Sequence, residues 1–259
     1  MTGFLFNDIV FGPVMSRRLG ISLGINLLPL NKKVCSFNCI YCECGWTDTL
    51  PSKDLHFFSP KEISKAIENR FIELHNENIQ IEAITFAGNG EPTLHPYFDQ
   101  IIENTLFLRD KYLTGAEVTV LSNSTTISQP LVLEALKKAD KSIMKLDAGD
   151  DELFHLINQP FTLITREEII SNLKLFRSKV IIQSMFLKGE YKRKIIDNTR
   201  EDAVGIWIEE LKQIQPEYVM IYPIARNTPA EGLKRISMEE LNIIATKVNK
   251  EGIKAKIYP

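Results

Sequence analysis

The stretch Cys35-Ser-Phe-Asn-Cys39-Ile-Tyr-Cys42 holds three of the chain's four cysteines, at spacings of four and three. Three thiolates on one short loop can each bind one iron of a cubane cluster and leave the fourth iron without a protein ligand, open to chemistry. Other readings of the same residues stay open. A zinc site normally takes four Cys or His ligands in two pairs. Here Cys39 and Cys42 form one such pair, Cys44 is only two residues further on, and His56, His75, His95 and His155 are scattered. A thioredoxin-like redox pair leaves Cys35 without a role. Disulfides would need an oxidising compartment, and the chain opens with no charged-then-apolar signal segment. The iron–sulfur reading accounts for the most residues, with Cys35, Cys39 and Cys42 as ligands and Cys44 a bystander.

Elements that could hold such a loop alternate along the chain. Short apolar or β-branched runs recur at Ile81–Ala87, Glu117–Ser122, Lys141–Leu146, Lys179–Leu187 and Glu217–Tyr222. Between them lie amphipathic helical patterns. Ser59/Glu62, Thr165/Glu168 and Ser237/Glu240 have the spacing of capping boxes, and Pro60 suits a first helical turn. Ile63, Ala66, Ile67, Phe71 and Leu74 then fall on one helical face, as do Val204, Trp207, Ile208 and Leu211. Near-continuous apolar strands separated by helices predict a parallel sheet covered by helices. With a first strand ending just before Cys35, the count is about six units, too few for a closed eight-stranded barrel. The expectation is an α/β fold, a partial (β/α)6 TIM-like barrel. Residues 1–24 read as an N-terminal extension, 25–225 as the partial barrel and 226–259 as a C-terminal helix and strand, all one domain.

Size and charge narrow the function classes. The 259 residues are 44% apolar and 25% charged, as in an ordinary soluble globule. No apolar run approaches the ~18 residues of a membrane span, so a cytoplasmic protein without membrane contact is expected. A net charge of −2 lacks the basic excess of a broad nucleic-acid surface. The densest basic stretch, Lys188–Lys194, reads as a solvated loop.

The cysteine loop, with Tyr41 before its last cysteine, resembles the C-x3-C-x-φ-C loop of the radical S-adenosylmethionine (SAM) superfamily. Further segments are similar to the small radical SAM proteins related to the wybutosine-forming tRNA enzymes. These are Phe11–Gly24, Phe86–Pro96 with its Gly-Asn-Gly-Glu, Leu146-Asp-Ala-Gly149 and Tyr222-Pro-Ile-Ala-Arg226. Met15 stands where those relatives usually have proline. The resemblance implies a 4Fe–4S cluster on Cys35, Cys39 and Cys42, with SAM chelating the open iron. It implies Tyr41 near the adenine and Gly88, Asn89, Gly90 and Glu91 near the methionyl amine. It also implies reductive cleavage of SAM to a 5′-deoxyadenosyl radical, driven by an external flavodoxin- or ferredoxin-type donor.

In such barrels the loops after the strands' carboxyl ends make the site. Ser122, Asn123 and Ser124 end the third strand and can hydrogen-bond a ribose or carboxylate. Lys145 and Asp147 share a face of the fourth strand, where a charge pair is costly unless it faces a polar lumen. Gln183, the lone amide of its strand, is expected in the lumen with them. Arg226, after the sixth strand, can hold an anionic group. Lys145, Asp147 and Arg226 are the candidate catalytic residues. Arg17 and Arg18, adjacent in an extended chain, should point different ways. The favoured substrate is a peptide, protein or small metabolite. Modification of tRNA and a non-catalytic iron–sulfur electron carrier are the alternatives.

Overall fold

The computed structural model describes residues 3–47, 55–161 and 163–259. The chain begins with an antiparallel pair, β1 (Val10–Ser16) and β2 (Gly20–Ile25). Strand β2 then leads a parallel run through β3 (Ala83–Phe86), β4 (Glu117–Ser122), β5 (Lys141–Lys145), β6 (Ile181–Tyr191), β8 (Tyr218–Pro223) and β10 (Ala255–Ile257). Strands β7 (Lys194–Asp197) and β9 (Leu233–Arg235) pair antiparallel with the long end of β6. The sheet order runs from β1 to β10 without rejoining, so the barrel is open. Helices α1 (Pro60–Asn76), α2 (Phe98–Tyr112), α3 (Pro130–Lys138), α4 (Asp151–Ile157), α5 (Arg166–Leu173), α6 (Glu201–Ile214) and α7 (Met238–Lys250) fill the connections. This is the partial-barrel arrangement that the alternating pattern predicts.

Local signals set the helix starts. All three capping boxes form, at Ser59/Glu62, Thr165/Glu168 and Ser237/Glu240. Ile63, Ile67, Phe71 and Leu74 of α1 are buried, as are Val204, Trp207, Ile208 and Leu211 of α6. Each such side chain contributes about 1.5–3 kcal/mol on burial.

The lumen is layered. Ile143, Ile181, Tyr218 and Met220 form a buried apolar floor, joined by Leu19 and Tyr258. One pleat further towards the carboxyl ends, the same faces of β5, β6 and β8 carry Lys145, Gln183 and Tyr222. Apolar and polar layers thus follow from side-chain alternation on three neighbouring strands.

Two expectations need correcting. The first arc strand is Gly20–Ile25, within the residues read as extension, and it does not end just before Cys35. Residues Asn26–Val34 form a loop, because Asn26 turns the chain by donating to Leu28 O at 3.0 Å and accepting from Asn89 N at 3.0 Å. Lys188–Lys194 is a hairpin, not a loop. Lys192 and Arg193 take φ values of 49° and 61°, the left-handed pair of a two-residue turn, and pairing to β7 orders the rest. The terminal strand β10 is a parallel member of the sheet beside β8.

Candidate active site

The cysteine loop is held on both flanks by backbone. On one side Val34 N donates to Asn89 O at 2.8 Å, and Glu91 N donates to Val34 O at 3.0 Å. A Cβ on Gly90, at φ 137°, would lie 1.8 Å from Val34 O, so only glycine lets the turn after β3 meet the segment leading into Cys35. On the other side Asn38 N and Ile40 N donate to Asn158 O and Ile157 O, both at 3.0 Å, where α4 ends. Side-chain amides reach two of the sulfurs. Asn123 Nδ2 lies 3.5 Å from Cys35 Sγ, and Asn158 Nδ2 lies 3.6 Å from Cys39 Sγ.

The thiols differ in acidity. Burial pushes Cys35 up to about 12, against the pull of the Lys33 ammonium. Burial also raises Cys39, opposed by Lys145. A hydrogen bond from Cys44 leads the effects that lower Cys42 to about 5, with Lys33 reinforcing it. Cys44 is raised, because it is the donor in that bond. Metal ligation requires the thiolate, so binding a cluster would release protons chiefly from Cys35 and Cys39. All four cysteines are free. Among the described residues no three His, Cys, Asp or Glu side chains converge on a single ion. Cys35, Cys39 and Cys42 could each supply one thiolate to a separate iron of a polynuclear cluster.

These thiols face a cavity of about 200 Å³. Its walls include Lys33, Tyr41 and Cys44, the turn residues Gly88, Gly90 and Glu91, and Ser122, Asn123, Lys145 and Gln183. Most of the expected cofactor residues therefore converge. Two do not line it. Asn89 is fully buried, with its amide committed to Phe6 O and Pro29 O at 3.0 Å each and to Phe6 N at 2.8 Å. Ser124 donates to Lys145 O at 3.2 Å. Glu91 is buried, which raises its pKa against its hydrogen bonds. It accepts from Asn123 N at 2.6 Å, aligning the amide that reaches Cys35.

Below the cavity, Asp147 has a side chain with 0% exposure. Its Oδ2 accepts from Tyr41 Oη, from Asn158 Nδ2 at 2.8 Å and from Lys145 Nζ at 3.3 Å, and its Oδ1 accepts from Met185 N at 3.0 Å. Lys145 also donates to Tyr41 Oη. Burial disfavours the Lys145 ammonium, but Asp147, Tyr222 and Cys39 together more than offset this and the pKa rises. Tyr41 stays a neutral phenol, because burial and Asp147 both raise its pKa. Asp147 thus clamps the cysteine loop from beneath and does not line the cavity. Arg226 lies elsewhere, with 71% of its side chain exposed and paired with Glu43.

The family model of the radical SAM superfamily matches residues 33–200, more than half of the chain. The chain belongs to the radical SAM superfamily. It is 34% identical over 212 residues to a UPF0026 protein of Methanocaldococcus jannaschii, covering 80% of this chain and 61% of that one. A UPF0026 protein of Synechocystis sp. is 31% identical over 227 residues, 86% of this chain and 77% of its own length. A protein named GTPase Obg from Brachyspira hyodysenteriae is 33% identical over 237 residues, 90% of this chain but 32% of that protein. The chain thus spans one-third to about three-fifths of several relatives it matches.

Solved radical SAM structures share the fold. A radical SAM methyltransferase from Sphaerobacter thermophilus superposes with a TM-score of 0.67 at 15% identity, over 91% of this chain and 65% of that one. TYW1 with a lysine–pyruvate adduct gives 0.61 at 16% identity, over 88% and 73%. The anSMEcpe protein with bound AdoMet and a Cp18Cys peptide gives 0.60 at 16%, over 91% and 62%.

Sequence reasoning missed two residues of this radical SAM site. Lys33 is 5% exposed and donates to Gly45 O at 2.8 Å beside the thiols. Its place two residues before Cys35 was the available signal. Asn158 touches Cys39 and Asp147 from the end of α4, and no local pattern marks it.

Proposed function

We propose that this chain is a radical SAM enzyme in which Cys35, Cys39 and Cys42 hold a 4Fe–4S cluster. When bound, the cluster and SAM supply one-electron chemistry that yields a 5′-deoxyadenosyl radical for hydrogen abstraction. The observation that carries the reading is the convergence of three free thiols on one cavity with the glycine turn and Asn123.

The residues divide the work. Asn123 and Asn158 direct N–H groups at Cys35 and Cys39, supporting their thiolates. Lys33 supplies positive charge opposite Cys42. Gly88 and Gly90 line the cavity where a methionyl amine would sit, with Gly88 O also accepting from Cys44 Sγ at 3.2 Å, and Ser122 and Gln183 are polar towards a ribose or carboxylate. Tyr41 offers a neutral ring face. Asp147 positions Tyr41 and Lys145 rather than touching the substrate. Lys145 is held protonated, so it is a poor amine nucleophile, which weighs against an adduct of the kind named for TYW1. A flavodoxin- or ferredoxin-type donor in a reducing cytoplasm would supply electrons. The favoured substrate is a peptide, protein or small molecule.

The test is anaerobic reconstitution followed by reduction with SAM. The expected product is 5′-deoxyadenosine, increased by the true substrate. A full cluster that neither responds spectroscopically to SAM nor cleaves it would return the chain to the electron-carrier class. Binding of tRNA that persists at physiological salt would favour RNA modification.

A further inference from the structure

A second and larger cavity, about 760 Å³, opens beside the thiols and shares Cys42 with them. Its inner end is marked by Arg18, from the turn between β1 and β2. Arg18 Nη1 donates to Gln183 Oε1 at 2.6 Å, and the guanidinium lies 4.8 Å from the Tyr222 ring centre. Gln183 belongs to the wall of the thiol cavity, so Arg18 stands at the junction of the two spaces.

The charge around Arg18 is unbalanced. A guanidinium carries five N–H donors, and among the described residues this side chain makes that single hydrogen bond and no salt bridge. Tyr222 senses two cations, Lys145 and Arg18. Of the nearby carboxylates, Asp147 already accepts from Tyr41, Lys145, Asn158 and Met185, and Glu43, on the same cavity wall as Arg18, pairs with Arg226. A half-buried cation with free donors at the end of a cleft favours an anion there.

The outer wall is aromatic. A Cβ on Gly24 would come 2.0 Å from Phe11, so that ring lies directly on the β2 backbone. Phe6 stacks on Phe11 at 3.6 Å, and Phe4 meets Phe6 edge-on at 5.0 Å. Phe4 is 60% exposed and Met15 77%. The run ends at the exposed Phe4, whose ring offers apolar surface to a flat ring. The cavity volume is that of a site for a small organic ligand.

We propose that this cleft binds the substrate, a small molecule with an anionic group gripped by Arg18 and a flat apolar ring against Phe4 and Phe6. The inference rests on the radical SAM reading above. The anionic end then lies at Gln183, on the wall of the inner cavity, and the carbon bearing it is the part presented there.

The test uses the full chain, reconstituted anaerobically, with iron content and visible absorption measured on every sample. Binding of phenyl phosphate, phenylacetate, benzyl alcohol and inorganic phosphate is followed by ligand-observed NMR. The expected result is that at least one ring-plus-anion probe binds about tenfold tighter than benzyl alcohol and inorganic phosphate; which one wins names the anion. Arg18→Gln should bring its affinity down to that of benzyl alcohol, and Phe6→Leu should weaken it severalfold. SAM affinity should hold in Phe6→Leu. Equal binding of benzyl alcohol, no binding at millimolar probe, or loss of SAM affinity in Arg18→Gln with probe binding intact would each overturn the proposal. A missing cluster would instead count against the proposed function, since probe binding is read separately.

Discussion

The two cavities are neighbours built in opposite ways. The inner one is closed by hydrogen bonds: Gly90 against Val34, Asn123 on Glu91, Asp147 with four partners. The outer one is open, with an aromatic shelf and arginines held by neutral groups or rim contacts: Arg17 by Pro259 O, Arg18 by Gln183 and Arg226 by Glu43. The contrast fits a division of labour. An invariant cofactor reaction calls for preorganised groups, whereas substrate choice needs side chains left free to bind.

If that contrast is right, changes in the inner cavity should be severe and changes in the outer one mild. The largest effect is expected at the thiols. Cys35→Ala, Cys39→Ala and Cys42→Ala should each abolish the cluster's visible absorption, and Cys44→Ala should retain it. Loss in Cys44→Ala would make it a ligand and redraw the inner site.

Gly90→Val should come next. Its side chain meets the Val34 carbonyl, and overpacking plus left-handed strain together cost about 3 kcal/mol. Thermal unfolding should show the loss, with cluster content falling alongside because the cysteine loop must shift. Unchanged stability with only SAM binding weakened would show that the turn serves the ligand alone.

Asp147→Asn removes the charge beneath the loop and leaves the Lys145 ammonium uncompensated. Breaking a buried pair in this way costs about 3 kcal/mol, measurable in denaturant. Replacing Lys145 with Met in the same chain should recover part of it, by removing the stranded charge. The sign with pH follows from the raised Lys145 pKa. Its stabilisation is complete below the unfolded lysine value of about 10.4 and is lost as pH rises through the still higher folded value. Stability from this pair should therefore stay level through neutral pH and decline only in strong alkali.

The smallest effect belongs to the outer rim. Arg226→Ala breaks a pair whose arginine side chain is 71% exposed, worth at most about 0.5 kcal/mol. Melting temperature and cluster content should both hold. A large loss there would mean that the outer cleft is as tightly built as the inner one.

What the chain's order of residues determined by itself was local. Capping boxes bond residues three apart, strand faces alternate by two, and three cysteines within eight positions must share a loop; none of these needs a distant partner. The helices, the partial barrel and the thiol set were therefore legible. Tertiary structure decided whatever rests on residues remote in sequence. Gly90 reads as a turn glycine until Val34 is seen against it, and Asp147 reads as half of a charge pair until Tyr41, Asn158 and Met185 are seen around it. Only the fold buries Lys33 beside the thiols, and Lys188–Lys194 reads as a loop until β7 pairs with it. The Arg17–Arg18 doublet shows the limit from both sides. The two side chains diverge as expected, but from the turn between β1 and β2 rather than from extended backbone, and only the fold brings one to Pro259 and the other to Gln183. Burial and charge compensation are set by which elements pack together, and no single segment carries that information.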